Sequence, residues 1–128
     1  MLAVGGLVDA AFRPRINGEP DYGLAAEAFV GTPPGAFRIL LHHRPYTERI
    51  DSEGGDVRLQ LSGHTHGGAM PGFRTFVELT NEGKSRGLYE FAPGRTLHLS
   101  AGTGQWAGFP LRFFNPAKIS ELVLRRPR

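Results

Sequence analysis

Hydrophobic and polar positions along this chain alternate in short bursts rather than in long helical stripes. An apolar run, Leu2-Ala-Val-Gly-Gly-Leu-Val8, opens the sequence and stops at Asp9. The runs Phe37-Arg-Ile-Leu-Leu-His42 and Val57-Arg-Leu-Gln-Leu-Ser62 predict half-buried strands, because successive strand side chains face opposite sides of a sheet. Strand-like runs also cover 73–79, 87–91, 96–100 and 119–124, separated by glycine, proline and asparagine, so the second half is predicted to be β-rich. One helix is predicted from an N-cap at Asp21 to about Val30, with Leu24, Ala25, Ala28 and Phe29 on one face, and a shorter one between Thr47 and Ser52. Asn81-Glu-Gly83 and Ala92-Pro-Gly94 read as hairpin turns. Leu40, Leu59, Leu61, Leu88, Leu97, Leu99 and Val123 are the expected core positions.

Composition narrows the class. A chain of 128 residues, 40% hydrophobic and 21% charged, falls within one domain and is not disordered by composition. The absence of cysteine removes disulfides and thiolate ligands. A net charge of +3 and the basic tail 125–128 do not make a nucleic-acid surface, since the arginines are scattered among acidic residues. The first apolar run is too short for a signal peptide or a membrane span, so the chain as given reads as cytoplasmic, without a membrane anchor.

Histidine placement carries the chemistry. His64 and His66 stand in Leu61-Ser-Gly-His-Thr-His-Gly-Gly68, directly after a predicted strand, and the glycines allow the backbone to turn sharply there. His43 ends another predicted strand, so three imidazoles are positioned to meet at one sheet edge. Imidazole nitrogen suits zinc, manganese, iron and nickel, and a bound divalent ion brings the pKa of its water down to about 7. His42 points away from His43 by strand alternation and is expected to be buried or to support its neighbour. His98 reads as a surface or hydrogen-bonded residue. Arg44 and Arg112 are candidates to receive a phosphate through bidentate hydrogen bonds, and Trp106, beside Gly102-Thr-Gly104, is a candidate substrate contact. Gly55-Asp56 is expected to be a turn. A single ion held by all three histidines is a weaker alternative.

Leu41-His-His-Arg-Pro45 and Leu61 to Gly68, followed by Arg86-Gly-Leu-Tyr89, Leu99-Ser-Ala-Gly-Thr-Gly104, Pro110-Leu-Arg112 and Ile119 to Leu124, resemble the calcineurin-like metallophosphoesterases over nearly the whole chain. The resemblance implies an α/β fold, a two-sheet sandwich flanked by helices, of which only the β-rich C-terminal half would be present, with 1–128 forming part of one domain. Leu2 to Asp9 is similar to the strand that ends in G-V-D-D in relatives. It further implies a two-metal phosphatase or phosphodiesterase in which His43 and His64 share one divalent ion and His66 binds the other.

The family's D-x-H, metal-binding G-D and G-N-H-E motifs have no counterpart in this sequence, and Ala69 replaces the Gln that often follows G-H-T-H-G-G. Three ligands split between two ions close neither site, so the chain alone is expected to be catalytically incomplete. The expected partners are a phosphoester substrate and either the missing N-terminal half or a second copy of the chain. Relatives often carry a membrane anchor, which makes a membrane-associated parent an expectation. A non-catalytic binding or interaction fragment that keeps the fold is the alternative.

Overall fold

A computed structural model describes residues 1–9, 15–16, 19–20, 23–52, 55–68, 70, 72–104, 112 and 115–125. The chain forms β1 (Leu2–Gly6), β2 (Arg15–Ile16), β3 (Glu19–Pro20), β4 (Phe37–Leu41), α1 (Glu48–Ser52), β5 (Val57–Ser62), α2 (Phe73–Leu79), β6 (Gly87–Ala92) and β7 (Arg95–Leu99). One mixed sheet of five strands runs in the order β1-β4-β5-β7-β6, and β2 and β3 make a separate two-stranded ribbon. The four strands β1, β4, β5 and β7 are parallel, and β6 pairs antiparallel with β7. The fold is therefore α/β, with one sheet of the expected sandwich formed among the described residues.

Register divides the side chains between two faces. On one face Gly5 lies under the turn at Ala28 and Phe29, where a Cβ would meet the Ala28 carbonyl oxygen at 2.6 Å, so only glycine admits this approach. Ala25, Phe29, Leu40, Ile50 and Val57 make the core there, with Ala3, Leu7 and Ala28 packed against it. The opposite face carries the registered residues Leu2 and Phe37, Val4 and Ile39, and Leu41 with Leu61. It is open toward its margins, where Leu2, Val4, Phe37, Leu41 and Leu88 are exposed, while Ile39 and Leu59 at its centre are buried.

Several expectations are corrected. The run 73–79 is α2 and not a strand. Its aromatic and β-branched residues resemble a strand, but Phe73, Phe76, Val77 and Thr80 recur at helical spacing, and Arg74 pairs with Glu78 at 2.6 Å one turn on. Asn81-Glu-Gly83 is consequently the turn that ends a helix, with Asn81 Nδ2 donating to the Val77 carbonyl at 2.8 Å. In place of a helix to Val30, a single 3-10 turn covers Glu27–Phe29, because Gly23 adopts a left-handed φ of 68° just before it and Gly31 follows close behind. Asp21 lies outside the described residues. The stretch 119–124 forms no strand; no described strand pairs with it, and Ile119 and Val123 are exposed. Leu88 and Val123 therefore leave the predicted core and Leu61 is half-buried, while Leu40, Leu59, Leu97 and Leu99 are buried.

Candidate metal centre

Parallel strands deliver their following loops to one edge of a sheet, and that carboxyl edge is where open α/β sheets place ligands. Here β1, β4 and β5 lie side by side, and their ends carry Asp9, His43 and His64. His43 Nε2 and His64 Nδ1 are 3.3 Å apart, with the rings edge to face at 5.0 Å between centroids. Asp9 joins them: its carboxylate is 3.7 Å from His43 Nε2 and 3.4 Å from Arg44 Nε. Strand-end logic applied to Leu2–Val8 would have added Asp9 to the site, since it follows an apolar run just as the two histidines do.

Backbone stitching fixes the two histidine loops against each other. His42 N donates to Leu61 O and Gly63 N to His43 O, each at 3.1 Å. The Arg44 carbonyl accepts from Gln60 Nε2 and Ser62 Oγ, both at 3.2 Å, so polar groups inside β5 hold the turn after β4. His42 is buried, as strand alternation required, and His43 is exposed.

The loop from His64 to Gly68 is held in unusual backbone geometry. His64 and His66 have φ of 71° and 47°, a left-handed region uncommon for residues with a Cβ and found disproportionately at functional sites. Neighbouring elements hold this geometry in place. Thr65 Oγ1 donates to Ser85 O at 2.7 Å, and the buried Asn115 donates through Nδ2 to the His66 carbonyl while accepting from Arg86 Nη1 at 2.8 Å. Gly67 completes the clamp, because a Cβ there would meet the Asn115 amide at 2.7 Å. No pattern in the sequence pointed to Asn115; only the folded chain brings residue 115 to residue 66.

Charge and burial favour neutral imidazole at His64, the form that ligates metal. Burial lowers its pKa to about 4, helped by the positive charge of Arg44 and by His43, against the opposing pull of Asp9. Arg44 is partly desolvated, which opposes its charge, yet Tyr46 and Asp9 hold its pKa above the ordinary value. His98 lies in β7; burial and then Lys118 lower its pKa.

His66 lies apart from the His43–His64 contact and lines a cavity beside α2 that it shares with His64. Among the described residues, no three His, Asp or Glu side chains converge as a ready ligand set for one ion. The donor types nevertheless suit a divalent cation: two imidazoles in contact, one of them held neutral, with a carboxylate alongside. Arg44 faces Asp9 at this edge. Arg112 donates from Nε to Gly104 O at 2.9 Å and from Nη2 to Ala101 O at 2.8 Å, which employs its guanidinium in the turn after β7. Trp106 lies outside the described residues.

Comparison with known proteins gives a consistent picture. The chain is 38% identical over 119 residues to an uncharacterized metallophosphoesterase of Helicobacter pylori, a match spanning 93% of this chain and 31% of that protein. It is 41% identical over 87 residues to an uncharacterized metallophosphoesterase of Campylobacter jejuni, covering 68% of this chain and 22% of the relative. A transmembrane protein with metallophosphoesterase domain from Bos taurus is 34% identical over 100 residues, 77% of this chain and 22% of that protein. The chain thus spans about a third or less of the length of these curated relatives. No family model matches, and no solved structure matches.

Proposed function

Because the chain belongs to the calcineurin-like metallophosphoesterase family, we propose that it supplies the histidine-bearing part of a two-metal phosphoester hydrolase. The observation that carries this is the meeting of His43, His64 and Asp9 at the carboxyl edge of adjacent parallel strands. His43 and His64 hold one divalent ion, manganese, zinc, iron or nickel, and His66 offers its imidazole to a second. Asp9 offsets the Arg44 charge, and its carboxylate lies beside the same His43 nitrogen that faces His64, where it would add an oxygen donor next to the two imidazoles. Bound ions contribute Lewis acidity and acidify water at neutral pH. Net hydrolysis forms one bond from water oxygen to phosphorus, breaks the bond from phosphorus to the ester oxygen, and passes the water's proton to the departing alcohol. Arg44, near the same edge, is available to meet the phosphoryl oxygens when a substrate competes for it with Asp9.

Three imidazoles and one carboxylate fall short of a two-ion centre, and the D-x-H and G-N-H-E motifs of the family are lacking from this sequence. On this reading the chain alone does not turn over; it needs a complementary segment with carboxylate and asparagine ligands, and the open apolar face of the sheet is where such a segment packs. The non-catalytic alternative shares every feature except restoration of activity.

Hydrolysis of bis(p-nitrophenyl) phosphate with manganese or zinc, by the chain alone and after addition of the D-x-H-bearing half of a relative, tests the proposal. Background rates alone and metal-dependent turnover in the mixture, lost in His64→Ala, are expected. Steady turnover by the chain alone, abolished by His66→Ala, would sink the incompleteness. Failure of every mixture, with metal binding also absent, would favour the non-catalytic fragment.

A further inference from the structure

α2 places an aromatic wall directly beside the histidine loop. A cavity of about 170 Å³ is bounded by His64, Thr65 and His66 on one side and by Phe73, Phe76 and Val77 on the other, with Thr80 and Asn81 closing the end. The two phenyl rings stand 5.1 Å apart, tilted by 36°. Val77 accounts for the packing of α2, since it is the helix's buried residue, whereas Phe76 remains 55% exposed and Phe73 is only half-buried. Phe76 in particular leaves a large ring exposed, and both rings line a hollow that opens onto the imidazoles.

The chemistry of the wall limits what enters. Among the described residues, no Asp, Glu, Lys or Arg lines it. Its polar side chains already spend their donors inside the protein: Thr65 Oγ1 on Ser85 O, Thr80 Oγ1 on Phe76 O and Val77 O, and Asn81 Nδ2 on Val77 O and Thr80 Oγ1. The acceptor left over, Asn81 Oδ1, is itself shielded from solvent. Away from the imidazoles, a sugar or a second phosphate would find no free side-chain donor or cation among the described residues of this lining and would lose its water without compensation. A carbon group gains from the same wall. In volume the hollow is close to a cavity of about 150 Å³ that takes up benzene.

We propose that this cavity receives the apolar part of the substrate's ester alcohol, a single aromatic ring or a branched alkyl group of similar size. The substrate class is then a phosphoester of an apolar alcohol, and Phe73 and Phe76 are the residues that select it. The assignment rests on the phosphoesterase reading of His43, His64 and His66, which sets the phosphate at the imidazole end and the carbon group against the rings.

Nuclear magnetic resonance titration of the chain, with zinc present, separates the two readings through three probes. Phenylphosphonate carries both groups, methylphosphonate the phosphoryl end alone, and benzyl alcohol the ring alone. Benzyl alcohol and phenylphosphonate are expected to shift the Val77 methyl and Phe73 and Phe76 ring signals, with phenylphosphonate binding about tenfold or more tightly than methylphosphonate. Phe76→Ala, at an exposed position, should remove most of that preference, and Phe76→Leu should restore much of it. Absence of benzyl alcohol shifts at these residues, or a phenyl preference unchanged in Phe76→Ala, overturns the cavity assignment while leaving the phosphoesterase reading intact. Benzyl alcohol binding with neither phosphonate perturbing the histidines, when the D-x-H-bearing half of a relative is also present, overturns the phosphoesterase reading, and the substrate class with it.

Discussion

His64 occupies a place where burial, Arg44 and His43 all oppose its protonation, holding its pKa at about 4 against an ordinary value of 6.5. Between those values the unfolded chain binds the proton more readily than the folded one. Stability is therefore fully present above about pH 6.5 and is lost progressively as the pH falls toward 4. In metal-free protein the denaturant midpoint should drop across this window, and His64→Ala should flatten the drop; an unchanged profile in that variant would remove His64 as its source. Metal binding is expected to depend on His43, His64 and His66 and not on His98, which lies within β7 rather than at a strand end. Metal content after equilibrium dialysis checks this, and equal losses in His98→Ala and His64→Ala would refute the assignment. The Asn115 clamp makes a sharper claim. Asn115→Ala leaves the His66 carbonyl and Arg86 without a partner and should cost about 1 to 3 kcal/mol. Gly67→Ala adds a Cβ against the same amide at a φ of 65°, so the two substitutions should be clearly sub-additive. Simple additivity of denaturant midpoints would show that residues 67 and 115 do not touch.

Among the elements, β4, β5 and β7 carry the fold. Leu40 is fully buried and registered between β1 and β5, so Leu40→Ala should cost about 2 to 5 kcal/mol, while Leu88→Ala, on the exposed face of β6, should stay within about 0.5 kcal/mol. Comparable losses in the two variants would contradict the assignment of faces. These strands were legible in the sequence because alternation bounded by turn residues survives folding unchanged, and the G-H-T-H loop was legible because glycines and histidines after a strand have little packing purpose. The run 73–79 was misread because seven residues satisfy both a period of two and a period of 3.6; the Arg74–Glu78 pair and the contact with the histidine loop decide in favour of the helix. The stretch 119–124 has the alternation of a strand and lacks, among the described residues, the other requirement, a hydrogen-bonded neighbour. Asp9 was within reach of the rule that found His43 and His64. Asn115 was not, since its role depends on a contact across 49 residues that leaves no local pattern.

Across the whole molecule, the sheet presents a contradiction that a partner would resolve. Parallel strands are ordinarily covered on both faces, because their crossovers pack helices against each side. Here the turn at Glu27–Phe29 and α1 cover one face, whereas on the other Leu2, Val4, Phe37 and Leu41 stand exposed around the buried Ile39 and Leu59. Among the described residues β1 pairs with β4 alone, which leaves its outer edge without a described neighbour. Contiguous apolar surface beside an unpaired strand edge drives association. The isolated chain should therefore self-associate as its concentration rises through the micromolar range, in sedimentation velocity or light scattering. Val4→Lys should weaken this association: the side chain is 59% exposed, so the charge leaves the covered core untouched while penalising burial of the open face. Leu88→Glu, on the far strand of the same face, should act in the same direction and less strongly if the contact centres on β1. Addition of a complementary segment that covers the face should dissolve the self-association and, on the proposed reading, raise metal affinity at His43 and His64 in the same titration. A chain that stays monomeric at every concentration, with Val4→Lys indistinguishable from the original, would mean that the open face needs no partner, and the requirement for a complementary segment would then rest on ligand arithmetic alone.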